Sequence, residues 1–313
     1  MLELLVIGLR LAQYGGAVIL LGTPLFLLYG LRSTDALAQT WPRRLLVAAC
    51  AVVAVTSAAG LVAQTGVMAG SIVEGMKPAS LGFMITGTTL GPAFLLRAGI
   101  ALAALGLVLI ARPSRLLWGI LVVAGLGASA SFAWTGHGAA TQGAGHYPHM
   151  IGAILHSWAA ALWLGALAAL LIMTLRHRSG DSASDRVLHG ALHGFSGVGT
   201  AAVAVLVLSG LVNSWFTVGV DGIDRLVTTP YGRLLLAKLA LFGLMVALAA
   251  SNRFHLTPDL AEALDDPDDI RSAVARLKRS LALETLIAVA LLGVVAVMGT
   301  LAPVSAMDMD MGM

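Results

Sequence analysis

Residues 150–175 read M-I-G-A-I-L-H-S-W-A-A-A-L-W-L-G-A-L-A-A-L-L-I-M-T-L. The stretch contains no Asp, Glu, Lys or Arg, and His156 is its one ionisable side chain. A helix needs about 20 mostly apolar residues to cross the hydrocarbon core of a bilayer. The stretch therefore predicts a membrane-spanning helix that carries a histidine near its start.

The same apolar character extends over the whole chain of 313 residues. Hydrophobic residues make up 58% of it and charged residues 11%, whereas an ordinary soluble domain is about 25% charged. This composition excludes a water-soluble globular protein, whose surface needs polar side chains, and a disordered chain, which needs low hydrophobicity. The one cysteine, Cys50, excludes a disulfide framework within the chain.

Eight apolar runs are long enough to span a membrane. They are Leu4–Tyr29, Leu45–Val67, Pro92–Ala111, Leu116–Thr135, Met150–Leu175, Phe195–Val218, Leu234–Ala250 and Leu281–Leu301. The predicted fold class is therefore an all-α polytopic membrane protein, a bundle of about eight transmembrane helices.

The basic residues orient these runs. Thirteen of the 19 Lys and Arg lie in the connections after the first, third, fifth and seventh runs, and three lie in the connections on the opposite side. Basic residues collect on the cytoplasmic side of a membrane. Both termini are therefore predicted outside the cytoplasm, which is the periplasm if the protein lies in the inner (plasma) membrane of a Gram-negative bacterium.

The predicted spans divide the chain into four segments. Residues 1–135 form an N-terminal half with four spans, and residues 136–149 form a His-rich periplasmic loop. Residues 150–303 form a C-terminal half with four spans, and residues 304–313 form a periplasmic tail rich in Met and Asp.

Histidines are concentrated at the predicted outer face. Residues 135–150 read T-G-H-G-A-A-T-Q-G-A-G-H-Y-P-H-M and contain His137, His146 and His149. His156 follows His149 by seven residues, close to two helical turns, so the two should share a helix face. Neutral imidazoles bind Cu, Zn, Ni or Fe, and polar groups at membrane depth are usually functional. These four histidines are therefore a candidate metal site; a pH sensor or proton relay, or a structural role, are the alternatives.

The C-terminal residues 307–313 read M-D-M-D-M-G-M. Thioethers favour Cu(I), whereas carboxylate and imidazole can hold Cu(II). The candidate copper ligands in this tail are Met307, Asp308, Met309, Asp310 and Met311. A disordered tail without function is the alternative.

Four further histidines face the predicted cytoplasmic side. They are His177, His189, His193 and His255. Mixed with Arg and Asp, they are typical of polar loops. Histidines at equal depth on neighbouring spans can also ligate haem, and the pairs to compare are His137 with His156 and His177 with His193.

Charged and aromatic residues near the predicted span ends have ordinary explanations. Arg97 and Lys238 lie in the outer parts of their spans and are expected to snorkel toward the headgroups. Trp134, Trp158 and Trp163 are typical of an interfacial aromatic belt. Few polar residues follow His156 in its own span, so a polar path inward would have to come from other spans.

Several motifs resemble the copper resistance protein D (CopD) family. They are L-H-S-W-A-A-A-L-W-L-G-A-L at Leu155–Leu167, Y-G-R-L-L-L-A-K-L-A-L-F at Tyr231–Phe242, S-N-R-F-H-L-T-P-D-L at Ser251–Leu260 and L-K-R-S-L-A-L-E-T-L at Leu277–Leu286. Gly136–His137 and Ala302–Pro303 fit as well, while Ala166 stands where a second glycine is common. The motifs span residues 130–303, and the first four spans match in number and hydropathy.

This resemblance implies an eight-span inner-membrane protein that passes copper from periplasm to cytoplasm, often beside a periplasmic copper chaperone (CopC). The family's inferred ligands fall on His137 and His156. The additional His146 and His149, and the Met/Asp tail, are features of this sequence.

The sequence therefore predicts a non-enzymatic copper importer. Its partners would be copper as Cu(I) or Cu(II), the lipid bilayer and a CopC-like chaperone, without nucleic acid. One alternative is a membrane haem or copper oxidoreductase, which would show a Soret band. The other is a periplasmic copper-binding or sensing protein that does not transport the metal.

Overall fold

The computed structural model describes residues 2–31, 35, 39–177 and 182–306, which are helical with no strand among them. The long helices are α1 (Leu2–Tyr29), α2 (Trp41–Met68), α3 (Leu90–Ile110), α4 (Arg115–Ala130), α5 (His146–Arg176), α6 (Ser182–Thr217), α7 (Pro230–Ser251) and α8 (Pro267–Met298). All eight are long and apolar enough to cross a membrane. The predicted all-α bundle with eight spans is therefore confirmed. The division of the chain into two halves, a loop and a tail stays a prediction.

Side-chain caps and prolines set where several helices begin. Thr229 accepts a hydrogen bond from the Gly232 amide at the start of α7, and Pro230 follows it. Asp266 caps α8 by accepting from the Asp268 and Asp269 amides. Such caps satisfy backbone donors that have no partner within the helix. Because of the cap at Asp266, α8 begins well before the predicted span at Leu281.

The fifth helix occupies the centre of the bundle. It packs against α1, α4, α6 and α8, and Trp163, Ala166 and Leu170 are fully buried within it. The other long helices arrange around it: α1 also packs on α2 and α4, and α2 packs on α3. The seventh helix packs mainly on α8 and is the least buried of the eight.

The backbones of α1 and α5 are in direct contact where they cross. A Cβ atom added to Gly165 would lie 2.5 Å from the Gly22 Cα, and one added to Gly22 would lie 2.6 Å from the Gly165 Cα. Small residues allow this close approach between membrane helices. The crossing places the outer part of α1 beside the outer part of α5.

Replacing Gly22 with alanine should destabilise the bundle, because the added methyl group would overlap the α5 backbone. Overpacking of a closed site typically costs about 1–3 kcal/mol, so a lower thermal midpoint is expected in detergent. Gly15→Ala on the same helix is the matched control, since nothing lies within 4 Å of its added Cβ. Equal midpoints for the two variants would contradict the crossing.

Candidate metal site and the cavities that continue from it

A cavity of about 280 Å³ lies at the end of the bundle where α5 begins. We call it the outer cavity, because the sequence predicts that this end faces the periplasm. Helices α1, α5, α6, α7 and α8 all contribute to its wall. Its ionisable side chains are Arg10, Tyr14, His149, His156, Tyr231 and Lys238. No Asp or Glu is found among the described residues that line it.

His156 projects from α5 into this outer cavity. Its Nδ1 lies 3.0 Å from the Ser209 Oγ on α6. The Ser209 hydroxyl donates its own hydrogen to the Val205 carbonyl oxygen at 2.5 Å. When that hydroxyl gives its single hydrogen to Val205, His156 has the tautomer whose Nδ1–H donates to Ser209. The Nε2 lone pair is then available to a metal, and such a partner on the other ring nitrogen is typical of ligating histidines.

His149 also lines the cavity but is already engaged. It is 3% exposed, its Nδ1 lies 2.7 Å from the Thr141 Oγ1, and its ring stacks on Phe216 at 4.9 Å between centroids. His146 lies 3.0 Å from the Thr141 carbonyl oxygen through its Nδ1. Thr141 therefore holds both rings near the start of α5.

The other two groups of candidate ligands are described less fully. His137 begins a short 3-10 turn, His137–Ala140, and its side chain lies outside the described part. The tail ligands Met307, Asp308, Met309, Asp310 and Met311 also lie outside the described residues. Within the described residues, no group of three or more His, Cys, Asp or Glu is arranged to hold a metal. Any copper site built from the described side chains alone therefore has at most two such ligands.

Two cations behave differently from the expected snorkelling. Arg97 is 0% exposed; it donates to the Gln13 Oε1 and the Ser131 Oγ, each at 2.9 Å, and its guanidinium lies 3.8 Å from the centroid of the Phe132 ring. Lys238 lines internal cavities and is half-buried. The snorkelling prediction is wrong for Arg97, because neutral hydrogen-bond partners and an aromatic face hold it inside the bundle.

A second cavity, of about 620 Å³, adjoins it between α6 and α7, and we call it the middle cavity. Its lining extends from Val220 and Ile223, in the connection after α6, to Trp163 and Met245. It shares His156 and Lys238 with the outer cavity, and its wall is otherwise almost entirely apolar. The polar path that transport would need is therefore not formed by this part of the wall.

A third cavity, of about 240 Å³, lies at the other end and shares Trp163 with the middle cavity. Glu284, only 2% exposed, lines it and accepts a hydrogen bond from the Asn252 Nδ2 at 2.9 Å. Ser280 donates to the Asn252 Oδ1 at 2.5 Å, and Trp163 lines the same cavity as Glu284. The aromatic-belt prediction is wrong for Trp163, which is 2% exposed in the core.

Sequence reasoning missed this inner polar cluster. A carboxylate inside an apolar run was the available signal, since such groups are costly at membrane depth. Glu284 and Asn252 are 32 residues apart, however, and no spacing rule joins them. Asn252 begins a π-helical segment, Asn252–Leu256, which re-aims the end of α7 toward α8.

The inner histidines form pairs other than those compared for haem. His177 lies 2.5 Å from Asp185 through its Nε2, and both side chains are buried. His193 stacks with His189 at 6.4 Å between centroids on α6. Asp185 is therefore a structural partner of His177.

Comparison with known proteins identifies the family. Residues 1–147 match the family described as copper resistance protein D-like, N-terminal domain, and residues 189–298 match copper resistance protein D. Copper resistance protein D of Pseudomonas syringae pv. tomato is 38% identical over 98% of both chains. The chain belongs to the copper resistance protein D family. The expectation drawn from the motifs is confirmed, and the protein is a multi-pass membrane protein of a copper-handling family.

Two more distant relatives match part of the chain. Copper transport protein CutJ of Bacillus subtilis is 33% identical over 38% of this chain and 21% of its own length. Inner membrane protein YebZ of Escherichia coli is 30% identical over 42% of this chain and 44% of its own. No solved structure matches. Two motifs that carry the family resemblance, Ser251–Leu260 and Leu277–Leu286, meet in the Asn252–Glu284 hydrogen bond.

Asn252→Ala should destabilise the protein, because it leaves the buried Glu284 carboxyl without its amide donor. Losing a partner of a buried polar group costs about 1–3 kcal/mol, which a thermal midpoint in detergent will show. Ser251→Ala, one residue away, is the control and should have little effect. Combining Asn252→Ala with Glu284→Leu should recover part of the loss, and a double variant as unstable as the sum of its parts would contradict the pairing.

Proposed function

We propose that this protein moves copper across the bacterial inner membrane, from the periplasm to the cytoplasm, and that His156 is the ligand at the entrance. The observation that carries the proposal is the orientation of His156, whose Nε2 is left available by the Ser209 contact where the outer and middle cavities meet. Membership of the copper resistance protein D family supports the choice of metal. The relative named as a copper transport protein supports movement of copper over storage.

Capture of the ion would involve the other outer ligands. His137, His146 and His149 precede His156 in the chain, and the Met/Asp tail follows α8. Ser305, just before the tail, donates to the Phe216 carbonyl oxygen at 3.0 Å, and Phe216 stacks on His149. These contacts support a tail that leaves the bundle beside the outer cavity. A CopC-like chaperone would deliver copper to the same face.

The transport direction depends on the orientation of the chain. The connections on one side of the membrane contain thirteen basic residues, and those on the other side contain three. Because basic residues collect on the cytoplasmic side, this difference favours both termini in the periplasm. An inside-negative potential then favours entry of a cation by about 2.3 kcal/mol per charge per 100 mV. No enzymatic step is part of this proposal.

One observation favours a second candidate, a haem-containing oxidoreductase. The middle cavity of about 620 Å³ is apolar and adjoins His156, so it offers room and one ligand for a planar organic group. A copper-binding protein without transport is distinguished from both by the absence of uptake into vesicles.

His156→Ala should remove copper from the purified protein. Wild-type protein in detergent should hold near-stoichiometric copper with no Soret band, and the variant should lose most of it because the Nε2 ligand is gone. Metal analysis with an optical spectrum measures both. His255→Ala, on the π-helical segment, is the matched control and should keep its copper.

Ser209→Ala refines the same measurement. Loss of a partner on the second ring nitrogen typically weakens metal affinity about 10–100-fold, so copper should bind more weakly but not disappear. Unchanged copper in His156→Ala would overturn the proposed entrance site and point to the tail. A Soret band would favour the oxidoreductase.

Reporter fusions test the proposed orientation. Alkaline phosphatase joined after residue 313 should be active and a fluorescent protein at the same place dark, because the C-terminus would lie in the periplasm. The same reporters joined after residue 176 should give the opposite result. A fluorescent C-terminal fusion would reverse the proposed direction of transport.

A further inference from the structure

The outer cavity has a charge distribution that a bare copper ion does not fit. Arg10 from α1 and Lys238 from α7 both line it, together with His149 and His156. No carboxylate lines it, and neither cation forms an ion pair with a described residue. A copper cation in this cavity would therefore meet two like charges.

The Arg10 guanidinium lies beside the end of α8. Its Nη1 lies against Gly299, directly after that helix, where a side chain on Gly299 would collide with it. A guanidinium stays protonated in proteins, and a charge without a counter-charge is costly at membrane depth. Charged groups in such places are normally paired, so a negative partner is needed here.

A third cation lies behind the cavity wall. Arg97 is bound by the neutral side chains of Gln13 and Ser131 and covered by Phe132, which lines the cavity. Its hydrogen bonds to the described residues are all with neutral side chains, and none is with a carboxylate. The positive potential of the outer end is thus not cancelled by the described residues around it.

Two cations from different helices therefore line one cavity, which is the composition of an anion site. We propose that the outer cavity binds a small inorganic anion of halide size, at Arg10 and Lys238, and that copper enters it as Cu(I) complexed by that anion. The copper part of this inference rests on the proposed function. His156 Nε2 would displace one halide from a two-coordinate anionic Cu(I) halide complex. The displaced halide leaves, the second halide stays on the metal beside the cations, and no electron is transferred.

This arrangement fits the small number of ligands in the cavity. His149 is engaged by Thr141 and Phe216, and no third His, Cys, Asp or Glu joins His156 among the described side chains. Cu(I) accepts two ligands in a linear arrangement. His156 supplies one of them, and the halide supplies the other.

Chloride binding to the copper-free protein tests the anion site by itself. Saturable broadening of the chloride NMR signal is expected with the full chain in detergent. Arg10→Gln and Lys238→Gln should each reduce it, whereas Lys238→Arg, which keeps the charge, should retain it. No saturable broadening in wild type, or full broadening in both neutral variants, would overturn the anion site.

Copper binding in different anions tests the link to the metal. Cu(I) affinity, measured by competition with a chromophoric chelator, should be about tenfold weaker in gluconate than in chloride, because coupled binding typically changes affinity by about 5–150-fold. In bromide, X-ray absorption at the copper edge should detect a bromide scatterer beside nitrogen. His255→Ala, the control for the copper content, should leave both results unchanged.

The two proposals fail in different ways. Equal copper affinity in chloride and gluconate with only light scatterers at the metal would remove the halide and leave His156 as the copper ligand. No copper binding in any anion would remove the proposed function, and chloride NMR would still decide the anion site.

Discussion

The contact between the α1 and α5 backbones at Gly22 and Gly165 determines how the outer end of the molecule is built. Arg10 and Tyr14 line the same cavity as His149 and His156, so the two helices run in the same direction from that end to the crossing. With a larger residue at the crossing, the axes would separate and the cavity wall would open. The family's W-L-G motif contains this glycine, which gives the motif a packing role beside its proximity to His156.

Polar groups inside the apolar bundle have different partners at its outer and inner ends. At the inner end, the Glu284 carboxyl accepts a hydrogen bond from Asn252, and Ser280 completes the amide's contacts. A buried polar group with its partners costs little, whereas one without them costs much. At the outer end, Arg10 and Lys238 line a cavity whose described wall contains no Asp or Glu. The inner cluster is therefore paired within the described residues, whereas the two cations at the outer end have no acidic partner among them.

The spans could be predicted because length and apolarity alone decide whether a helix crosses a membrane. The residues at which the spans begin and end could not be predicted in this way. We expected α5 to begin near Met150, but it begins at His146, because Pro148 lies in the first turn, where its missing N–H has no intrahelical partner to lose. His149 is consequently inside the helix, against Phe216. The histidines of the sequence are concentrated at the end of the molecule where the outer cavity lies, but only the fold separates His156, whose Nε2 is available, from His149, which is engaged.

The apolar wall of the middle cavity limits how an ion could move past His156. It lies between α6 and α7, and Trp163 lies between it and the inner cavity. Helix α7 is packed mainly on α8, and α6 mainly on α5, so these two helices have few contacts with each other to lose. An apolar wall offers an ion no new ligands, so an ion leaving His156 must keep its own ligand or wait for polar groups to approach. Of the helices around the cavity, α7 is the least buried, so it would lose the least packing if it moved. It also contributes Lys238 to the cavity wall. Displacement of α7 on α8 is thus the change that would alter the cavity at the lowest energetic cost, and it would move a positive charge relative to His156.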